Sequence, residues 1–149
     1  MTGVQTCALP ICFPVTIADV DIIILTDKDT REGVKEAFIR LADEVIIKGE
    51  MKTSIFVQKF RIDLTLIIDP IEWGGCLFHS IGPKEFNILN RQIAQSKGWL
   101  LNDKGLWNAE VRIDDGTEEG ICEKLNVPWA PSVLRELIGQ IGYSPLVEV

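Results

Sequence analysis

The stretch Ile17-Ala18-Asp19-Val20-Asp21-Ile22-Ile23-Ile24-Leu25 is β-branched and apolar, yet it carries two carboxylates. That composition predicts a strand. Side chains alternate faces along a strand, so Asp19 and Asp21 point the same way, one pleat repeat apart. Two acids side by side at the end of a buried strand repel each other and lose hydration. A bound cation reverses that cost. A second apolar strand, Arg61-Ile62-Asp63-Leu64-Thr65-Leu66-Ile67-Ile68, offers a third acid. Its alternation puts Arg61, Asp63 and Thr65 on one face and Ile62, Leu64 and Leu66 on the other. If the two strands are neighbours, three carboxylates converge. Divalent metal ions held by a few carboxylates and completed by substrate phosphates suit phosphoryl or nucleotidyl transfer. Acid pairs also sit at strand ends with no metal role, so the pattern alone leaves both readings open.

Working outward, Asp29-Thr30-Arg31-Glu32 offers a cap residue with an acid three positions on. Val34, Ala37, Phe38 and Leu41 follow at helical spacing and predict an amphipathic helix to about Ala42. Strands are expected at Glu44–Lys48, Thr53–Val57 and Phe60–Ile68, with a turn at Gly49-Glu50-Met51-Lys52. This order implies a helix packed on a mixed sheet. Pro70 ends the sheet region, and 71–80, with Gly74-Gly75, reads as a short helix or an irregular link. Pro83 opens a helix whose apolar side is Phe86, Leu89, Ile93 and Ala94, and Gly98 stops it. Asn102-Asp103-Lys104-Gly105 is a four-residue hairpin loop between two apolar runs. Val111–Ile113 adds a strand, Thr117 starts a helix to about Asn126, and a last helix runs from about Ser132. The expected organisation is an arm over 1–14, a first lobe over 15–80 and a second lobe over 81–149.

With 149 residues, 46% hydrophobic and 25% charged, the chain has the size of one domain or two small lobes and the composition of a soluble globular protein. No apolar run is long enough to span a bilayer, so no membrane association is expected. Cys7, Cys12, Cys76 and Cys122 form no CxxC pair, and His79 is the only histidine, which disfavours zinc. Reduced thiols in a cytosolic compartment are expected. The net charge of -7 argues against indiscriminate nucleic-acid binding. Residues 48–104 nevertheless hold 8 basic and 6 acidic side chains, so a polyanion should meet the middle of the chain. Residues 1–16 carry no charged side chain. Without a basic n-region they do not read as a signal peptide. Thr2 to Ile11 has the look of a translated sequencing adapter, a non-native scar that carries no fold information; the alternative is a natural, poorly ordered N-terminal arm.

The combined motifs resemble family X DNA polymerases, the group that includes polymerase beta. Asp19-Val20-Asp21, Gly49-Glu50-Met51-Lys52 and Arg61-Ile62-Asp63 are similar to that family's palm. Gly82-Pro83-Lys84-Glu85-Phe86-Asn87 followed by Arg91 resembles the start of its thumb. Lys97-Gly98 and Leu101-Asn102-Asp103-Lys104-Gly105-Leu106-Trp107 resemble its hairpin. Thr117-Glu118-Glu119 with Ile121, and Val127-Pro128-Trp129-Ala130-Pro131 with Leu134-Arg135-Glu136, resemble its C-terminal run. The order and spacing hold from about residue 15 to 136. The resemblance implies an α+β fold: a nucleotidyltransferase-type palm, a mixed sheet with a packed helix, followed by a small α+β thumb.

By position, the resemblance implies that Asp19 and Asp21 bind both of two Mg2+ ions, for which Mn2+ can substitute. Asp63 would bind the catalytic ion alone and help activate a primer 3′-hydroxyl. Arg61 would be its charge partner, and Lys52 would lie near the primer strand, both on the DNA side. Gly82 and Asn87 would meet the incoming nucleotide, and Arg91 the minor-groove edge of the template base. Without the resemblance, Asn87 and Arg91 are two surface residues four apart on a helix. The implied activity is transfer of a nucleotide from a dNTP to the 3′-hydroxyl of a DNA primer–template, of the DNA-repair type. The chain would act as a monomer, in the cytoplasm or, if viral or phage-encoded, in that of a host. The alternatives are a nucleotidyltransferase acting on a non-DNA acceptor and a non-catalytic DNA-binding remnant. Three departures matter. Ala8 and Leu9 stand where the family has Gly-Ser, and Cys12 where it has a phosphate-binding arginine. The family's Tyr-Phe-Thr-Gly-Ser reads His79-Ser80-Ile81-Gly82-Pro83, which removes the aromatic pair that helps exclude ribonucleotides. His79 itself reads as a satisfied structural residue. Ala8, Leu9 and Cys12 offer the triphosphate no hydroxyl or guanidinium, so weak or no transfer is expected of the chain as it stands.

Overall fold

A computed structural model describes residues 19–144. The arm 1–14 with Ala8, Leu9 and Cys12, and the start of the opening stretch, lie outside the described residues. The fold is α+β and divides into two units that part between Ile68 and Asp69.

The first unit carries strands β1 (Asp19–Leu25), β2 (Glu44–Lys48), β3 (Lys52–Val57) and β4 (Phe60–Ile67), with helix α1 (Arg31–Ile39) between the first two. The sheet order is β1-β4-β3-β2. β1 and β4 run parallel, and the other pairs are antiparallel. Ile55, Leu64 and Leu66 meet Phe38 of α1 in a buried cluster, with Ile24, Val34 and Ile62 packed against it. The helix therefore covers the Ile62, Leu64 and Leu66 face of β4.

Three local expectations change here. Among the described residues β1 stands at the end of the sheet order rather than within it, and Leu25 is 46% exposed. Helix α1 stops at Ile39, leaving Leu41 67% exposed; the stem of buried Lys35 completes its inner face while Nζ reaches Glu32 at 3.0 Å. The start of α1 is organised by Asp27 rather than Asp29. Its carboxylate accepts from the backbone N–H of Thr30 (2.8 Å) and of Asp29 (2.9 Å) and from the Thr30 hydroxyl (3.0 Å). These bonds favour the charged form and hold Asp27 below the usual carboxylate range.

The second unit opens with a 3-10 turn (Pro70–Glu72) and continues through α2 (Trp73–Ile81), α3 (Lys84–Ser96), β5 (Leu100–Asn102), β6 (Gly105–Asn108), β7 (Val111–Arg112), α4 (Glu118–Leu125) and α5 (Ser132–Ile141). The 71–80 link is thus mostly helix, and it lies in this unit. Gly74 and Gly75 explain why. The Gly74 N–H donates to the carbonyl of Gly116 at 2.9 Å. A methyl at Gly74 would run into the Gly116 and Thr117 backbone, and one at Gly75 into Lys104 and Gly105. The hairpin turn is tighter than its four-residue pattern suggests, because Asn102 pairs with Gly105. The Asn102 Oδ1 accepts from the N–H of Lys104 and of Gly105 and from Trp107 Nε1. Thr117 caps α4 through a 2.9 Å bond from the Gly120 N–H to its hydroxyl. Phe78, Phe86, Leu106, Ile121, Leu125 and Ile138 form the buried centre. Among the described residues no helix is long and apolar enough to cross a membrane.

Gly75→Ala is expected to destabilise this unit by about 1–3 kcal/mol, the scale of overpacking against atoms that cannot yield. Leu41→Ser, at an exposed site, should change stability by less than about 0.5 kcal/mol. Thermal melts of the two variants test the contrast, and an unshifted Gly75→Ala melt would show that α2 does not press on the hairpin.

Candidate active site

Parallel pairing of β1 with β4 sets Asp19 opposite Arg61 and Asp21 opposite Asp63. On the other side of β4, Ser54 of β3 lies opposite Asp63 and Lys52 opposite Thr65. Directly paired residues share a face. Asp19, Asp21, Asp63, Arg61, Lys52 and Ser54 therefore stand on the face opposite α1. The sequence reading did not single out Ser54. Counting by two from Lys52 along β3 leads to it.

The face is electrostatically tense. Burial pushes the Asp21 carboxyl above its ordinary range, and the charges of Asp63 and Asp19 push it further, while Arg61 opposes them. Arg61 Nε bonds Asp63 Oδ1 at 3.0 Å, with the two side chains 39% and 31% exposed. Carboxylate oxygens are the donors Mg2+ and Mn2+ prefer, and Asp21's burden is one a cation would relieve. Among the described residues, no three His, Cys, Asp or Glu side chains are already gathered as a metal-holding group.

In the second unit, α3 places Asn87 and Arg91 on a hollow lined also by Phe78, His79, Leu101 and Asn102. Neither is a plain surface residue. Asn87 Nδ2 donates to the His79 carbonyl at 2.8 Å, and its Oδ1 is buried without a hydrogen-bond partner. Arg91 Nη2 lies 2.9 Å from His79 Nδ1. Gly82 joins α2 to α3 at φ 60°, a conformation that favours glycine, ahead of a cis bond to Pro83. The sequence reading also missed Asn90. It is fully buried, donates to the Phe86 carbonyl at 2.9 Å and accepts from the Tyr143 hydroxyl at 2.8 Å. Its place between Phe86 and Ala94, four residues from each, was the available signal.

Asp21 yields a pH prediction. Unfolded, its carboxyl titrates near 3.8; folded, it keeps its proton to higher pH. The folded state is therefore penalised above both values, and the penalty fades as pH falls through the folded value towards the unfolded one. Asp21→Asn should raise the melting temperature of the metal-free protein by at most a few degrees at neutral pH, with no gain left at about pH 4. A gain that persists unchanged in acid would mean that charge is not its source.

The family model described as "DNA polymerase beta thumb" matches residues 76–136. A DNA polymerase/3′-5′ exonuclease PolX of Bacillus subtilis (strain 168) is 31% identical over 142 residues, covering 90% of this chain and 24% of the relative. Among solved structures, polymerase beta of Leishmania infantum in a ternary P/T complex matches with a TM-score of 0.66 at 21% identity, over 78% of this chain and 61% of that one. The same enzyme in a ternary gap complex matches with a TM-score of 0.61 at 20% identity, over 78% and 56%. The chain thus spans about a quarter of the bacterial relative and rather more than half of the matched polymerase beta chains. Residues 76–136 are thus similar to a DNA polymerase beta thumb, and the PolX match with the polymerase beta-like fold supports reading the chain as a family X polymerase-like fragment.

Proposed function

We propose that this chain serves template-directed nucleotidyl transfer: a DNA primer 3′-oxygen attacks the α-phosphorus of a dNTP, the bond to the bridging oxygen breaks, and pyrophosphate leaves. The observation that carries the reading is the β1–β4 register, which sets Asp21 opposite Asp63 with Asp19 on the same open face. Asp19, Asp21 and Asp63 would hold two Mg2+ ions, which stabilise the attacking and leaving oxygens when bound. Asp63 accepts the proton of the primer 3′-hydroxyl, and Arg61, bonded to it at 3.0 Å, fixes its orientation. Lys52, exposed on the same face, and Arg61 attract the primer backbone. In the second unit Gly82 and Asn87 meet the incoming nucleotide, and Asn87 Oδ1, buried and without a partner, is suited to a hydrogen bond from a ligand. Arg91 reads the template base. The similarity to polymerase beta in ternary P/T and gap complexes supports a primer–template as the partner.

The test is extension of a gapped primer with labelled dNTP and Mg2+ or Mn2+. Slow extension is expected, because Ala8, Leu9 and Cys12 give the triphosphate little hold. Asp63→Ala should keep its melting behaviour and lose at least about a hundredfold in rate. Asp19→Asn with Asp21→Asn should abolish the tightening of Mn2+ binding that dNTP causes in the parent protein. Equal extension by the parent and Asp63→Ala would remove Asp63 from the chemistry. Transfer independent of template would favour a different acceptor.

A further inference from the structure

We infer that His79 is the positioning residue for the base-reading face of α3, holding Asn87 and Arg91 from the last turn of α2. That this face reads a base pair rests on the function proposed above; the holding itself rests on geometry alone. The carbonyls at a helix C-terminus lack intrahelical partners, and the carbonyl of His79 is taken up by Asn87 Nδ2 at 2.8 Å. That bond turns one amide N–H towards α2, and Oδ1 of the same amide is buried without a hydrogen-bond partner. The ring of the same residue lies 2.9 Å from Arg91 Nη2 through Nδ1. A guanidinium only donates, so Nδ1 must accept, and any ring proton sits on Nε2. One residue thus sets two side chains that stand one helical turn apart. Both line the hollow with His79 itself.

The two holds separate experimentally, because the bond to Asn87 uses main chain and survives substitution while the bond to Arg91 needs the ring. His79→Leu removes the acceptor. His79→Asn replaces it with an amide oxygen at a similar reach. The first measurement is on the free full chain, following the arginine guanidinium signals by nitrogen-15 NMR. Arg112, bonded to Lys104 and Asp114, and Arg135, bonded to Ala130 and Glu118, are internal references for an intact fold. Arg91 should show hindered guanidinium rotation in the parent and in His79→Asn, and free rotation in His79→Leu, with the references unchanged. Free rotation of Arg91 in the parent, or hindered rotation in His79→Leu, overturns the inference. If His79→Leu fails to fold, His79→Asn decides alone: loss of the hindered Arg91 signal in a folded His79→Asn protein overturns it. The second measurement is discrimination between matched and mismatched dNTP. It should fall about five- to tenfold in His79→Leu, recover in His79→Asn, and fall no further when Arg91→Ala is added. A parent protein that keeps the Arg91 signal but shows no response to primer–template and dNTP would defeat the proposed function and leave the positioning intact.

Discussion

The chemistry assigned to the first unit hangs on one constraint, the register of β1 against β4. A strand's side chains repeat every two residues, so a slip of one would carry Asp19 and Asp21 through the sheet to the side of α1 and Phe38. The apolar residues guard against that. Val20, Ile22 and Ile24 lie opposite Ile62, Leu64 and Leu66, and packing Ile24 with Ile62, Leu64 and Leu66 beside Phe38 of α1 favours the register that leaves Asp21 beside Asp63. The acids are thus held together by what their neighbours bury, against their own repulsion.

The second unit is organised around a buried charge. Arg135 is 1% exposed, donates to the Ala130 carbonyl and to Glu118, each at 2.9 Å, and has the rings of Phe78 and Phe86 at 5.3 Å. Burying a guanidinium is costly, and the ion pair offsets that cost only when its remaining donors are served. Here one side chain ties α5 to the start of α4 and to the segment before Ser132. Loss of Glu118 would strand the charge, which is more harmful than losing the pair together.

Much of this was legible in the sequence. Period-two alternation placed Arg61, Asp63 and Thr65 on one face of β4, and β-branched runs marked the strands. The mixed sheet with its packed helix followed from element order. What escaped was set by tertiary context. A single strand's pattern does not say whether it lies at an edge, so β1 was expected to be more buried than it is. Helical spacing marked Leu41 as inward because it matched the stripe of Val34 and Phe38, yet α1 ends before reaching it. Asn90 and Arg135 carry polar groups that hydropathy places outside; their burial depends on Tyr143 and Glu118, partners 53 and 17 residues away. The ring of His79 gave no sign of its link to Arg91, because the bond spans two helices.

The contact of α2 with its neighbours through Gly74 and Gly75 bears on how such a chain can diverge. Where two segments meet main chain to main chain, their spacing is written in atoms every residue shares, and the hydrogen bond from Gly74 to Gly116 contains no side-chain atom. Surrounding side chains can then drift in size and type without altering the distance between the helix and the loops it touches. The freedom is asymmetric: almost any neighbour can be exchanged, while the two glycines cannot gain a single carbon. A lineage can wander far in sequence around such a point and still return the same backbone, in keeping with a shared fold at 21% identity.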